Sequence, residues 1–228
     1  MKNNIRKLYL FNFFVSMHFI GGILLPFFTV WGGLSLTQMF LLESWFSLWL
    51  FVFEIPSGAF ADRFGRKKTL SLAVLVNMVA VVVFSSAPNF LIFMAGEFLW
   101  ALSGSLLSGT ENALIYDTMK KIKSTKKSKS IFSRYESSGL LGIMIGSPIG
   151  SVIASVSGLN APMFYLIVPF SIAFIISLTL KDPKFKSKSK SASYTSIMKS
   201  GIGYFVRHRT LKILALDMVV ISTASYFM

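Results

Sequence analysis

Four carboxylates and one imidazole stand within long apolar stretches of this chain. The carboxylates are Glu43, Glu54, Glu97 and Glu111, and the imidazole is His18. An ionisable side chain in the hydrocarbon of a membrane costs about 2.5–3.5 kcal/mol on insertion scales, so each of them needs a reason to be there. No Lys or Arg lies in the interior of these stretches. A carboxylate without a cationic partner favours its neutral form near pH 7, and such a group can load and release protons.

The spacing of the acids places them in pairs on helix faces. Glu43 and Glu54 are three helical turns apart, or about 16 Å of rise, and Glu97 and Glu111 again lie nearly on one face. Two interpretations stay open. Either the deeper acids Glu54 and Glu97, with His18, face a cavity that handles protons or substrate, or each acid hydrogen-bonds to Ser, Asn or backbone and holds helices together. For Glu43 and Glu111 the second interpretation is at least as good.

The elements that hold these residues are apolar stretches of transmembrane length. Apolar residues make up 54% of the chain and charged residues 14%, against about 25% charged in a soluble domain. Crossing ~30 Å of hydrocarbon takes ~20 apolar residues. The sequence therefore predicts an all-α membrane protein with six spans, at Leu8–Trp31, Thr37–Ala61, Thr69–Ala87, Phe90–Asp117, Ile131–Ser157 and Met163–Leu180.

The basic residues indicate the direction of the crossings. All 23 Lys and Arg residues fall in four segments, which are the N-terminal tail and residues 63–68, 120–134 and 181–212, and the alternate connections carry none. This is the positive-inside pattern, and it predicts a cytoplasmic N-terminus in a multi-pass protein of the cell membrane. The net charge of +14 then faces the anionic inner leaflet, without a nucleic-acid partner. The absence of Cys excludes disulfides and thiolate chemistry.

Three segments follow from this reading of the chain. Residues 1–180 are predicted to form a six-helix transmembrane bundle. Residues 181–210 form a basic cytoplasmic linker with an amphipathic helix at Tyr194–Arg209, and residues 211–228 begin a seventh span. Because this last apolar run has no polar flank, we expect that Met228 is not the natural end of the protein.

A basic segment between the second and third spans carries the most specific pattern. Gly58 and Gly65 allow close backbone approach and a tight turn. Arg66 can form a charge-assisted pair with an acid at the inner end of another helix, for which Asp117 is best placed. Asp62, among four basic residues, is predicted to be ionised and paired. The segment reads Gly58-Ala-Phe-Ala-Asp62-Arg63-Phe-Gly65-Arg66-Lys67-Lys-Thr-Leu70.

This segment resembles motif A of the major facilitator superfamily, Gly-x-Leu-Ala-Asp-Arg-x-Gly-Arg-Lys-x-x-Leu, from which only Phe60 departs. Six spans before a long basic linker also resemble the first half and central loop of that family. The resemblance implies a bundle of two three-helix repeats and a latch that holds the two halves together in the outward-facing state. A simple cytoplasmic anchor is the alternative, which we favour for Lys67 and Lys68. The implied latch residues are Gly58, Asp62, Arg63, Gly65, Arg66 and Asp117.

The fifth span shows where the resemblance to antiporters of the family is incomplete. Its small residues, among them Gly142, Gly146 and Gly150, recur at four-residue spacing, which predicts close helix packing. The run Gly146-Ser-Pro-Ile-Gly150 is similar to the Gly-Pro-x-x-Gly-Gly element, but its proline is displaced. In the fourth span, Trp100 stands near the place where the antiporter motif has arginine.

The function implied by the resemblance is transport rather than enzymatic catalysis. We expect a secondary transporter that moves a small molecule by alternating access, without a cofactor and coupled to protons, with the C-terminal half of the same transporter as its partner. Export is the first hypothesis. Two alternatives stay open, which are the import of a solute and a half-transporter without independent activity. The sequence shows no phosphate-binding glycine loop, metal-ligand spacing or hydrolase constellation.

Overall fold

Helices account for nearly all of the first 180 residues, because backbone polar groups in hydrocarbon must be satisfied within their own segment. The computed structural model describes residues 2–183, together with residues 203, 207–210, 212, 213 and 217. The helices are α1 (Lys2–Val15), α2 (Leu24–Pro26), a π-helical turn (Phe27–Trp31), α3 (Leu36–Phe64), α4 (Arg66–Ser86), α5 (Phe90–Lys121), a 3-10 turn (Thr125–Lys127), α6 (Ser128–Ser157), α7 (Ala161–Tyr165) and α8 (Ile167–Thr179).

The chain divides into two units, residues 1–185 and residues 186–228. All the helices named above belong to the first unit. In the second unit only eight scattered residues are described, and most of these are helical. The predicted amphipathic helix at Tyr194–Arg209 and the predicted seventh span at 211–228 therefore lie largely outside the described residues.

Five helical segments of the described chain are long and apolar enough to cross a membrane, and they confirm five of the six predicted spans. Four of them correspond to α3, α4, α5 and α6 with its preceding turn. The fifth runs over Ala161–Thr179 and has a local break at Leu166, between α7 and α8. Pro56 and Pro148 both stand inside continuous helices, α3 and α6, as expected for membrane helices.

The first predicted span, Leu8–Trp31, is not one continuous helix. It consists of the end of α1, a stretch of turns over residues 16–23, the short α2 and the π-helical turn. Two features favour the interruption. Gly21 and Gly22 stand in the turns, and both lie against α6, where a side chain would meet the Ser147 and Ser151 hydroxyls at 2.7 and 2.6 Å.

The glycines of α6 form the surface that receives this interrupted segment. Gly139, Gly142, Gly146 and Gly150 are all buried. A methyl group on Gly142 would collide with the Phe13 carbonyl oxygen, one on Gly150 with that of Phe19, and one on Gly146 would lie 3.0 Å from the His18 nitrogen. The predicted close packing of small residues is therefore confirmed, and Gly142 and Gly150 of α6 lie directly against the backbone of the first segment.

The connections at the helix ends are fixed by local hydrogen bonds. Ser35 begins α3 with a capping box, in which its hydroxyl accepts from the Gln38 amide at 3.3 Å and the Gln38 side chain accepts from the Ser35 amide at 2.9 Å. Asn89 caps α5 by accepting from the Leu91 amide at 2.9 Å. Gly65 alone separates α3 from α4, and its φ of +93° is one that glycine adopts without strain.

The long helices pack side by side in one continuous series. α1 packs between α6 and α8, α4 packs on both α5 and α8, and α3 lies against α5. Aromatic rings fill the core, with Phe11, Phe27, Phe93 and Phe170 fully buried. α3 buries only four of its residues. It therefore presents most of its apolar surface outward within this unit.

Replacing Gly150 with Ala tests the contact between α6 and the interrupted segment. The added methyl group meets the Phe19 backbone, and such overpacking costs typically 1–3 kcal/mol, so we expect a lower thermal unfolding temperature in detergent. Gly109→Ala is the matched control, because a methyl group there meets no atom within 4 Å. Equal unfolding temperatures for the two variants would contradict the close contact.

Candidate functional site

A cleft of about 160 Å³ separates the ends of α3 and α5 on the side of the α3–α4 turn. Small residues line most of it, which leaves room between the two helices. Three charged side chains, Glu54, Asp62 and Arg66, are the polar exceptions besides hydroxyl groups. The full lining is Glu54, Ser57, Gly58, Ala61, Asp62, Arg66, Ser105, Gly109, Thr110 and Ala113.

Arg66 closes one end of this cleft by joining α4 to α5. It stands at the first position of α4, directly after the Gly65 turn, and its guanidinium Nη1 donates to the Asp117 carboxylate and to the Ala113 carbonyl oxygen. The Arg66 and Asp117 side chains are each about one quarter exposed, so water screens their attraction only in part. The predicted contact between Arg66 and Asp117 is thus present in the structure, while its role as a latch stays a prediction.

Asp62 differs from the sequence prediction, which gives it an ion-pair partner. In the structure Asp62 is exposed on the wall of the cleft, and it makes no ion pair within 4 Å with another described residue. The Gly65 turn explains why Arg66 does not pair with Asp62, because the turn directs Arg66 toward α5. Arg63 is also exposed, with its guanidinium carbon 5.4 Å from the centre of the Phe64 ring.

Asp182 is a member of the site that the sequence did not reveal. It follows α8 by three residues, and its carboxylate accepts from the Lys67 amide at 3.1 Å, in the first turn of α4. A negative charge is stabilising at this end of a helix. A side chain on Gly65 would meet the same carboxylate at 2.8 Å, so Gly65 is required by a close approach as well as by its backbone angle.

Further polar contacts join the same ends of α1, α4, α5 and α8. The Asn4 amide donates to the Thr118 hydroxyl at 3.0 Å and to the Lys181 carbonyl oxygen at 3.1 Å, and its oxygen accepts from the Lys181 amide at 3.0 Å. The Ser71 and Ser177 hydroxyls lie 2.8 Å apart. The start of the linker is thus fixed to the bundle at Lys181 and Asp182.

Glu54 contacts α5 across the cleft. Each of its carboxylate oxygens lies 3.4 Å from the Ser108 hydroxyl, which also lies 3.5 Å from the Ser105 carbonyl oxygen. These are long hydrogen bonds that share one proton. The structure therefore gives Glu54 both features that the sequence left open, a hydrogen bond to a Ser and a position on a cavity wall.

Glu97 and His18 lie in the part of the bundle that is rich in aromatic rings. Glu97 is half-buried on α5, and the charge of Glu43 on α3 is near enough to act on it. His18 stands in the turns after α1, and its ring centre is 5.8 Å from that of Trp100, one helical turn beyond Glu97. Trp45 spans the same pair of helices by donating to the Met94 carbonyl oxygen at 3.0 Å.

Glu111 lies against α6 rather than in the α3–α5 cleft. Two residues of α6 lie near it that the sequence did not reveal, the buried Tyr135 and the exposed Glu136. No local pattern could have revealed them, since the contact depends on how α6 packs on α5. The predicted site residues thus separate into the α3–α5 cleft, the aromatic region and the Glu111 region.

A bundle of membrane-length helices with a charged cluster at a single-glycine turn defines a multi-pass membrane protein. The family follows from comparison with known proteins. The Major Facilitator Superfamily model matches residues 8–228, and the chain belongs to that family.

Individual relatives agree with this assignment. The chain is 27% identical over 208 residues to Multidrug resistance protein 2 of Bacillus subtilis, covering 86% of this chain and 50% of the relative. It is 24% identical over 184 residues to Quinolone resistance protein NorA of Staphylococcus aureus, covering 78% of this chain and 46% of the relative. A shorter match, 36% over 59 residues, covers 26% of the chain and 15% of the uncharacterized MFS-type transporter YxaM of Bacillus subtilis. The chain spans about half the length of the first and second of these relatives.

A double-mutant cycle measures the contact between Arg66 and Asp117. We expect Arg66→Gln and Asp117→Asn to be coupled by about 1–2 kcal/mol in unfolding free energy, since a charge-assisted hydrogen bond is lost by either change. Arg63→Gln with Asp117→Asn is the control cycle, because Arg63 contacts the Phe64 ring instead. A coupling energy near zero in both cycles would show that the pair does not stabilise the bundle.

Proposed function

We propose that this chain is the N-terminal half of a secondary transporter that exports a small organic molecule from the cell by alternating access. In transporters built from two such halves, substrate binds near the middle of the membrane and one half rocks against the other. The names of two relatives, multidrug resistance and quinolone resistance, support export of organic compounds. The chain then lies in the cell membrane with its N-terminus in the cytoplasm, as its basic segments predict.

The observation that carries this proposal is the cluster at the α3–α4 turn. Arg66, Asp117 and Ala113 hold α4 to α5, while Asp62 stands exposed at the edge of the cleft. An exposed carboxylate at this place can bind a positively charged or hydrogen-bond-donating group of the opposite half when the cytoplasmic side closes. Asp62 is therefore the latch residue that contacts the opposite half. The Arg66–Asp117 pair keeps α4 and α5, next to Asp62, fixed to each other.

The C-terminal half of the same transporter is the proposed partner of α3. That helix buries only Leu42, Ser57, Ala59 and Ala61 within this unit, and it leaves a broad apolar surface. A second bundle packed there would complete the wall of the substrate cavity. The basic segments would meanwhile face the anionic inner leaflet.

Proton coupling is the proposed source of energy. Glu97 is half-buried, and no hydrogen bond or ion pair to its carboxylate occurs among the described residues. Glu43 adds a second negative charge nearby. Protonation and deprotonation of a carboxylate in such surroundings can be linked to movement of the halves. Glu54 in the α3–α5 cleft and His18 in the turns after α1 are further candidates for proton binding.

Replacing Asp62 with Asn tests the latch. We expect transport by the full-length protein in proteoliposomes to fall at least about tenfold, because a charge-assisted contact with the opposite half is lost. The amount of protein inserted in the membrane should stay unchanged. Lys68→Gln, an exposed change in the same segment, serves as the control. Transport by Asp62→Asn at the rate of the unaltered protein would rule out the latch.

Replacing Glu97 with Gln tests proton coupling. The amide cannot exchange a proton in this range, so we expect transport to lose its dependence on an imposed pH gradient while downhill exchange of substrate continues. The measurement is substrate uptake into vesicles with and without the gradient. Glu97→Asp, which keeps an ionisable carboxylate at the same position, is the matched control and should keep the response to the gradient. If Glu97→Gln keeps the full response to the gradient, Glu97 has a structural role.

A further inference from the structure

Seven residues around the α3–α4 turn make polar contacts that close into a ring. The ring passes from α4 to α5, from α5 to α1, from α1 to the residues after α8, and from these back to the first turn of α4. Between these contacts the ring follows the backbone from one residue to its neighbour. We call this set the polar ring, and its members are Arg66, Asp117, Thr118, Asn4, Lys181, Asp182 and Lys67.

Asn4 forms the buried part of the polar ring. Asn4 is only 4% exposed, and Thr118 is fully buried. The Asn4 amide nitrogen donates to the Thr118 hydroxyl and to the Lys181 carbonyl oxygen, and the Asn4 oxygen accepts from the Lys181 amide. An Asn side chain has two N–H donors and one carbonyl oxygen, so all three groups are used. Asn4 thus binds both backbone polar groups of Lys181 and fixes this residue to α1 and α5.

The residues that lead from α8 to Asp182 are also held by the bundle. α8 ends at Thr179, and Leu180 follows in an extended conformation. The Leu180 side chain is only 2% exposed, so it belongs to the apolar core. The bonds from Asn4 fix the next residue. The backbone position of Asp182 is therefore set by a buried apolar side chain and by a buried amide.

Asp182 acts as the N-terminal cap of α4. Gly65 precedes this helix and, as a glycine, has no side chain that could accept from the first amides. The Asp182 carboxylate accepts from the Lys67 amide at 3.1 Å, at the second position of the helix, which is where a cap side chain commonly binds. A side chain on Gly65 would lie 2.8 Å from the same carboxylate. The glycine therefore leaves the space for a cap that comes from 115 positions further along the chain.

The cap fixes the part of α4 that carries Arg66. Arg66 is the first residue of this helix, directly before Lys67. From there its guanidinium donates to the Asp117 carboxylate and to the Ala113 carbonyl oxygen. The first turn of a helix loses stability when its cap is removed. Loss of the cap therefore removes the backbone position from which Arg66 contacts α5.

We propose that Asn4 and Asp182 are positioning residues, which hold Arg66 in contact with Asp117 by binding the start of the linker to the first turn of α4. The inference rests on the proposed function for its place in the transport cycle, but the effect on the α3–α5 cleft can be measured without transport. Because the linker leads to the opposite half, movement of that half acts on Arg66 through Asp182. The polar ring thus couples the linker to the charged cluster at the cleft.

The reactivity of a cysteine in the cleft tests the role of Asp182. Ser105 lines the α3–α5 cleft and is 2% exposed, so a cysteine there reacts faster with a membrane-impermeant maleimide when the cleft opens. The measurement uses Ser105→Cys in the full-length transporter in inside-out vesicles, with any other Cys replaced. We expect Asp182→Ala to speed labelling by about fivefold, because a helix cap is lost. Asp182→Asn keeps an acceptor oxygen and should change the rate less than about twofold.

The same change in an Arg66→Gln protein distinguishes positioning from a separate effect on stability. Arg66→Gln alone is expected to speed labelling by about tenfold. The effects of independent sites multiply, which would give about fiftyfold for the two changes together. If Asp182 acts by positioning Arg66, the addition of Asp182→Ala to Arg66→Gln changes the rate less than about twofold. Asn4→Ala should behave as Asp182→Ala does, and Asn3→Ala, an exposed Asn of α1, is the matched control.

The outcomes separate this inference from the proposed function. Labelling of Asp182→Ala at the rate of the unaltered protein, or multiplied rates in the double variant, overturns the inference even if the protein transports substrate. The expected pattern of rates supports it even if no transport is found. Thermal unfolding in detergent checks that each variant is folded. Because Asp182 is exposed, its variants decide the outcome if Asn4→Ala does not fold.

Discussion

The free energy of placing a charge in hydrocarbon is the constraint on which the rest of this structure depends. It confines Lys and Arg to four segments outside the interiors of the long apolar stretches, and in one of them Arg66 reaches an acid on a neighbouring helix. It also means that every carboxylate left in a span must be neutralised, hydrogen-bonded or exposed to water in a cavity. Glu54, with its Ser108 contact at the edge of the α3–α5 cleft, shows two of these solutions at once.

The contacts at the α3–α4 turn make one rigid end of the bundle. Arg66 holds α4 to α5, Asp182 holds the residues after α8 to the first turn of α4, and Asn4 holds α1 to the same segment. Helices fixed to one another in this way move together, which is what rocking of one half against another requires. The α6–first-segment contact is held differently, since glycines of α6 there lie against the backbone of the interrupted first segment.

Most of the architecture could be predicted from the sequence, because membrane spans are encoded locally. Hydropathy and length located α3 through α6, and the Arg66–Asp117 contact followed from charges at helix ends. What failed depends on tertiary packing. The break after α1 arises where Gly21 and Gly22 meet α6, and the unpaired Asp62 follows from the direction that Gly65 gives to the chain.

The parts of the site that the sequence missed have no local signature at all. Tyr135 resembles any aromatic residue of a span until α6 is seen to place its hydroxyl near Glu111. Asp182 resembles a linker residue until its carboxylate is seen at the Lys67 amide. Long-range contacts of this kind depend on helix rotation, which the periodicity of a mostly apolar helix does not define.

The central claim is that the charged cluster at the α3–α4 turn controls access to the interior from the cytoplasm. Residues 1–228 contain no Cys. A cysteine at Ser105, which is buried in the α3–α5 cleft, can therefore report this access in the transporter once any Cys outside these residues has been replaced. The most direct measurement is the rate at which a membrane-impermeant maleimide labels Ser105→Cys in inside-out vesicles, with and without Arg66→Gln. The account predicts labelling that is faster by about tenfold when Arg66 is replaced, since a charge-assisted contact is lost. Equal labelling rates would contradict it.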